Sequence, residues 1–316
     1  MYFDAHSDIW TDVTVRRLAG ERDVLRRRHL DRLRQGNVEG GIFALWIDGP
    51  FQTEPLARTR QMMDCIRGEI AECDAVRVVC NDGEITRAKS EGKFYILIGA
   101  EGLAAIGTDL GRLDDYYAFG VRHAMLTWNE ENALAAGAAT GKDSGLTPAG
   151  REAVRRIQEK GMLLDLSHLN EAGFWDVTRL ATRPVIASHS NARALCDVPR
   201  NLTDDQLRAI RDLGGVVGLN VFHRFISPER EAQTVENLAR HGAHMVDVMG
   251  IDHVGCGFDF CEFLESEAGE PVTAGLADCR EIGNLFACFA KLGMSREEMD
   301  KIACQNFRNV IKQTIG

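Results

Sequence analysis

Short apolar runs rich in β-branched residues recur along the chain, each stopping at a polar or small residue and giving way to a charged, helix-like stretch. The runs cover residues 2–8, 38–47, 94–101, 121–128, 162–168, 184–189, 216–221 and 253–260. Helix-start signals fall between them. Thr147 precedes Pro148, Thr203 stands three positions before Gln206, and Ser295 three before Glu298. A hydroxyl at such a position accepts a first-turn amide, and the Gln or Glu returns a bond to the cap backbone. Gly161 and the Gly214-Gly215 pair mark the return to strand. Alternating strand and helix predict a parallel sheet with right-handed crossovers. Eight units suit a closed (β/α)8 TIM-type barrel of the α/β class better than an open doubly wound sheet.

Length agrees with one ring. The 316 residues give about 40 per strand–helix unit, generous for a barrel with long rim loops, so one catalytic domain over residues 1–316 is expected. Composition narrows the class: 45% apolar and 27% charged residues describe an ordinary globular chain with a large core. A formal charge of -10 leaves no basic footprint for a phosphate backbone or an anionic lipid surface. Nucleic acid and membrane are therefore not expected partners. The nine cysteines are odd in number and scattered, which fits neither a disulfide framework nor a zinc ribbon. They read as small apolar residues kept reduced. The chain opens on Tyr2-Phe3-Asp4-Ala5-His6 without a basic and apolar leader, and no apolar run reaches membrane-spanning length. A cytoplasmic protein is expected.

In a barrel of this kind the active site lies at the C-terminal ends of the strands. Those ends carry His6-Ser7-Asp8, Glu101-Gly102, Ser167-His168, Ser188-His189-Ser190 and Phe258-Asp259-Phe260. Side chains alternate along a strand, so His6 and Asp8 are placed on one face, able to grip one ion. Alone, such a pair is as easily a structural hydrogen bond. Nitrogen and oxygen ligands converging on one rim from several strands are costly without a bound cation. The set exceeds the needs of one tetrahedral zinc and suits two ions sharing a carboxylate. A dinuclear hydrolase, its nucleophile a hydroxide bridging two metals, follows as the expectation. No Gly-x-Ser-x-Gly elbow, Walker A loop or Gly-x-Gly-x-x-Gly fingerprint competes with it.

The set Asp4-Ala5-His6-Ser7-Asp8, Gly99-Ala100-Glu101-Gly102, Gly145-Leu146-Thr147-Pro148, Asp165-Leu166-Ser167-His168, Ser188-His189-Ser190 and Gly257-Phe258-Asp259-Phe260 resembles the membrane dipeptidase (renal dipeptidase, peptidase M19) family, in the manner of a soluble bacterial-type member. The resemblance spans essentially the whole chain, in the same order and spacing. It implies a metal-dependent hydrolase barrel that binds two zinc ions and cleaves dipeptides, often with a D-residue on the C-terminal side. By the same resemblance His6 and Asp8 hold one zinc, His168 and His189 the other, and Glu101 bridges both. Asp259 matches an acidic residue beside the scissile amide, where a carboxylate can pass a proton to the departing amine. Arg200 resembles the arginine that grips the substrate carboxylate, a task suited to a planar charged fork. Spacing alone equally allows a surface Arg200 paired with Asp204 or Asp205.

Two departures stand out. Relatives carry a histidine at the end of strand four, where this chain has Trp128-Asn129, whose indole N–H or amide can donate to a developing oxyanion. Cys261 and Glu262 stand where relatives have aspartate and glycine. His223, after strand seven, is a candidate pocket residue. His241 and His244 read as hydrogen-bonded helix residues, His253 lies at the wrong end of the barrel, and His29 and His123 carry no usable signal.

Other readings are a deaminase, lactonase or cyclic amidase on the related amidohydrolase barrel, and a barrel that binds peptides without turnover. Against the first, strand one reads His6-x-Asp8 rather than His-x-His, and Glu101 rather than a lysine offers the bridge. The physiological dipeptide and a homodimeric state are left open by the sequence.

Overall fold

A computed structural model describes residues 1–264 and 269–316. Its strands are β1 Tyr2–Ser7, β2 Val38–Trp46, β3 Val76–Val78, β4 Phe94–Glu101, β5 Val121–Met125, β6 Leu163–Asp165, β7 Val185–Ala187, β8 Val216–Leu219 and β9 Val254–Cys256. Each apolar run contains one strand. Eight of the nine run in the order β1-β2-β4-β5-β6-β7-β8-β9, every pairing parallel. The chain forms a nearly closed parallel α/β barrel of the TIM type.

The ninth strand, β3, follows the helix Pro55–Glu72 and pairs with Phe94–Ile96 in the first half of β4, leaving the second half to β5. Three residues on one outer edge make a pattern too short to stand out as a run.

Local chemistry terminates the elements as the sequence predicts. Thr147 Oγ1 accepts from Gly150 N–H at 3.0 Å beside Pro148. Thr203 with Gln206 and Ser295 with Glu298 form reciprocal capping boxes, each cap worth about 1 kcal/mol. Gly161 and Gly214 turn the chain at φ 69° and 74°, a region an L side chain enters only under strain.

The barrel is filled unevenly, which positions the site. At the N-terminal ends of the strands Phe3, Tyr95, Leu163, Ile186 and Val216 pack with Phe307, Val310 and Ile311 of the closing helix Asn306–Ile315. Burying each such side chain contributes roughly 1.5–3 kcal/mol. Above this plug the lumen turns polar.

Closure between β1 and β9 does not use a ladder of paired strands. Asp259 N–H donates to His6 carbonyl at 3.3 Å, and the buried Asp4 carboxylate accepts Phe258 N–H at 2.8 Å and His6 N–H at 3.3 Å. Burial pushes Asp4 up to about 7, against the pull of these amides.

Candidate metal centre

The strand ends bring the histidines and carboxylates of the rim into one cluster. β1 ends at Ser7, and Asp8, at φ -90° and ψ 23°, has left the extended conformation as the cap residue of the helix Ile9–Leu18. The His6–Asp8 pair, with Nε2 3.7 Å from Oδ1, is therefore made by a strand-to-helix turn rather than by strand alternation. β4 delivers Glu101. His168 and Asp259 follow β6 and β9 with φ of 68° and 60°, left-handed conformations that cost a non-glycine residue about 1–3 kcal/mol and gather at functional sites.

Glu101 stands at the centre. Its Oε2 lies 3.2 Å from His6 Nε2. Its Oε1 lies 2.9 Å from His168 Nε2 and 3.8 Å from His189 Nε2. The last two nitrogens face each other at 2.9 Å. Asp259 Oδ1 is 3.8 Å from His6 Nε2, while its Oδ2 accepts from the Asn220 amide at 3.1 Å.

His6, Asp8, Glu101, His168 and His189 are buried, and of these His6 and Glu101 hold charge against burial. Burial disfavours a proton on His6, but Glu101, Asp8 and Asp259 outweigh it and push the imidazole up to about 10. Burial likewise opposes the Glu101 carboxylate, yet His6 and His168 hold it well below the usual range. Asp8 is driven upward by burial and by Glu101 beside it. His168 falls to about 4 and His189 is also lowered, both chiefly by burial, leaving their imidazoles neutral.

The donor set fits divalent cations. His6 Nδ1 and Nε2, Asp8 Oδ1 and Glu101 Oε2 are buried and make no directed hydrogen bond, a costly state unless an ion completes it. His6, Glu101 and His189 each bring a ligand atom within 4.8 Å of the others, as do His6, Asp8 and Asp259. The imidazoles are also oriented. His168 Nδ1 donates to Asn129 Oδ1 at 2.9 Å, which turns its Nε2 lone pair inward. His189 Nδ1 lies 2.7 Å from the Ser188 hydroxyl.

Arg200 belongs to this site and not to the surface. It is 8% exposed, and its Nη2 donates to the His189 carbonyl at 3.2 Å. Asp204 pairs instead with His244, at 2.8 Å. The buried Arg200 Nε has no partner, and burial lowers the guanidinium to about 10 despite the carboxylates nearby. Trp128 packs edge-on against Trp46 with ring centroids 5.4 Å apart, beside Glu101 and Glu130 in one recess. His223 is buried in a second recess with Asp259, Phe260 and Cys261.

The remaining histidines have ordinary partners: His241 with Ile226 carbonyl at 3.0 Å, His253 with Gly215 carbonyl at 2.7 Å, and His29 with Asp12 at 2.8 Å. Sequence reasoning assigned no role to Asp4, His123, Asp165 or Asn220, all of which bond within or below the cluster. Asp4 and Asp165 were visible as carboxylates inside otherwise apolar strands, which demand buried partners. Among the described residues no disulfide is formed. Among the described residues no helix is long and apolar enough to cross a membrane.

Comparison with known proteins places this geometry. The family model for membrane dipeptidase (Peptidase family M19) matches residues 1–315. An uncharacterized dipeptidase of Schizosaccharomyces pombe is 30% identical over 96% of this chain and 75% of its own length. A metallopeptidase of Rhodobacter sphaeroides, solved with a phosphinate mimic of the dipeptide L-Ala-D-Ala, superposes with a TM-score of 0.88 at 28% identity over 99% of both chains. A solved M19 metallopeptidase, dipeptidase AC, gives 0.88 at 29% identity over 100% of this chain and 98% of its own.

Proposed function

Since the chain belongs to the membrane dipeptidase family, peptidase family M19, and is a metal-dependent dipeptidase of that family, we propose that it uses two zinc ions to hydrolyse dipeptides, including those with a D-residue on the C-terminal side. The observation that carries this is the two-sided Glu101 carboxylate, with Oε2 3.2 Å from His6 and Oε1 2.9 Å from His168. One carboxylate facing two imidazole sets is the arrangement a shared bridge requires. His6 and Asp8 would hold one ion, His168 and His189 the other. When bound, such a pair would polarise the scissile carbonyl and lower the pKa of the attacking water toward neutrality.

The protein groups do the rest. Arg200, with its unspent Nε–H, takes the dipeptide carboxylate in a dry setting where a charged bond is strong. Asp259, held by Asn220, stands where it can carry a proton to the leaving amine. The recesses at Trp46–Trp128 and at His223 flank the cluster and receive the two side chains of the substrate. Trp128 shields the site from water and presents its indole edge to the substrate, and Asn129 acts chiefly through His168. The R. sphaeroides complex with an L-Ala-D-Ala mimic supports the substrate class. A cytoplasmic location and action as one catalytic domain over residues 1–316 complete the proposal.

A library of L,L and L,D dipeptides, assayed on protein of measured zinc content, tests it. Two zinc ions per chain, and hydrolysis abolished by chelation and restored by zinc, are expected. Full activity in metal-free protein would overturn it.

A further inference from the structure

One interior step below Glu101 lies a polar pair that the reaction does not use. His123 on β5 and Asp165 at the end of β6 are fully buried, and His123 Nε2 donates to Asp165 Oδ2 at 2.7 Å. The ring finds room because the neighbouring β4 position is Gly99, where a Cβ would lie 2.5 Å from His123 Nδ1. Asp165 Oδ1 gathers two backbone amides from two strand ends, Ser167 N–H at 2.8 Å and Ser188 N–H at 3.1 Å. These residues immediately precede His168 and His189.

The arrangement takes over where the sheet stops. The β6–β7 ladder holds only Leu164 with Val185 and Asp165 with Ile186. Beyond it the carboxylate is the link between the two strand ends, reinforced by His189 N–H donating to Ser167 Oγ at 3.2 Å. His168 sits one residue further on at φ 68°. A strained residue keeps its conformation only when its surroundings over-determine it. A buried carboxylate holding two amides needs a further donor on its free oxygen, or that oxygen is left unsatisfied. His123 is that donor.

We propose that His123 is a positioning residue for the His168–His189 pair, acting through Asp165 to hold their two Nε2 atoms at one divalent transition-metal site. The inference rests on reading His168 and His189 as ligands of one ion, and a chelator-competition titration with Zn2+ separates the two ideas. Metal-free protein, His123→Asn and His123→Gln are titrated alongside thermal unfolding of the metal-free forms. Gln places a donor where Nε2 stood, and Asn falls short of Asp165. His123→Asn should bind one of two ions about 10–100-fold more weakly, leave the other affinity unchanged, and be rescued by His123→Gln. A purely structural role would lower the unfolding temperature of His123→Asn while both affinities stayed as in the parent, and that result overturns the inference alone. A parent chain that takes up no zinc would overturn the reading of the site as well.

Discussion

Asn129 accepts a hydrogen bond from Nδ1 of His168 at 2.9 Å, and by doing so decides which nitrogen of that ring is left to face Glu101. The residue follows β5, where the rim meets solvent, so its loss opens no core cavity. Asn129→Ala is expected to keep the fold and to lower metal affinity by about 10-fold or more, the range found when the partner of a metal-ligating histidine is removed. Zinc competition against a chromogenic chelator reads this directly. Unchanged affinity would show that the ring is held by packing alone.

Removing Arg200 should separate substrate binding from chemistry. Arg200→Ala is expected to raise KM for free dipeptides and to reduce kcat/KM by about 10²–10³-fold, the cost of a lost buried charged contact. The parent enzyme should discriminate strongly between a dipeptide and its C-terminal amide, and the variant should not. Equal discrimination in both proteins would place the carboxylate elsewhere.

Asp259→Asn keeps the shape of the side chain and its contact with Asn220 but removes its basicity. We expect zinc content to stay at the parent level while kcat falls by about 10²–10⁴-fold, the range for a lost general acid–base group. Near-normal kcat would exclude a proton-transfer role. A loss of zinc would instead make Asp259 a ligand, which its 3.8 Å approach to His6 makes worth measuring.

The His6 imidazole sets a pH dependence in metal-free protein. Its folded value, pushed to about 10 by the surrounding carboxylates against burial, lies above the unfolded one of about 6.5. Its contribution to stability is thus complete below the unfolded value and is lost as pH rises toward the folded one. The metal-free chain should lose several degrees of unfolding temperature between about pH 6.5 and 9, whereas zinc, replacing the proton, should flatten the profile. Calorimetry in both states over this interval checks it, and parallel profiles would contradict the assignment.

The fold was legible because a parallel barrel writes its strands as uninterrupted apolar runs and its helices with visible caps, as at Thr147, Thr203 and Ser295. The strand β3 escaped because three residues on one outer edge have no period. His6, Asp8, Glu101, His168, His189 and Asp259 could be gathered by one rule, that strand ends share a rim. Their supports could not. Asn129 looked like a substrate contact, with no sign that its Oδ1 also meets His168, and His123 gave no sign because its partner lies 42 residues on. Arg200 was undecided in the sequence for a related reason: whether an arginine is buried depends on loops whose path no local pattern encodes.

The seam between β1 and β9 has a consequence for how the enzyme comes into being. Asp4 meets the Phe258 amide across a sequence separation of 254 residues, and His6 and Asp259 are brought together by that contact. Contacts of such separation carry a large loop-closure cost and form late. A chain emerging from the ribosome can fold its first strand–helix units long before it has a complete metal set. Asp259 reaches His6 only when the ring closes, so a partly folded or truncated barrel, even with residues 6–189 in place, lacks the carboxylate proposed to carry the proton.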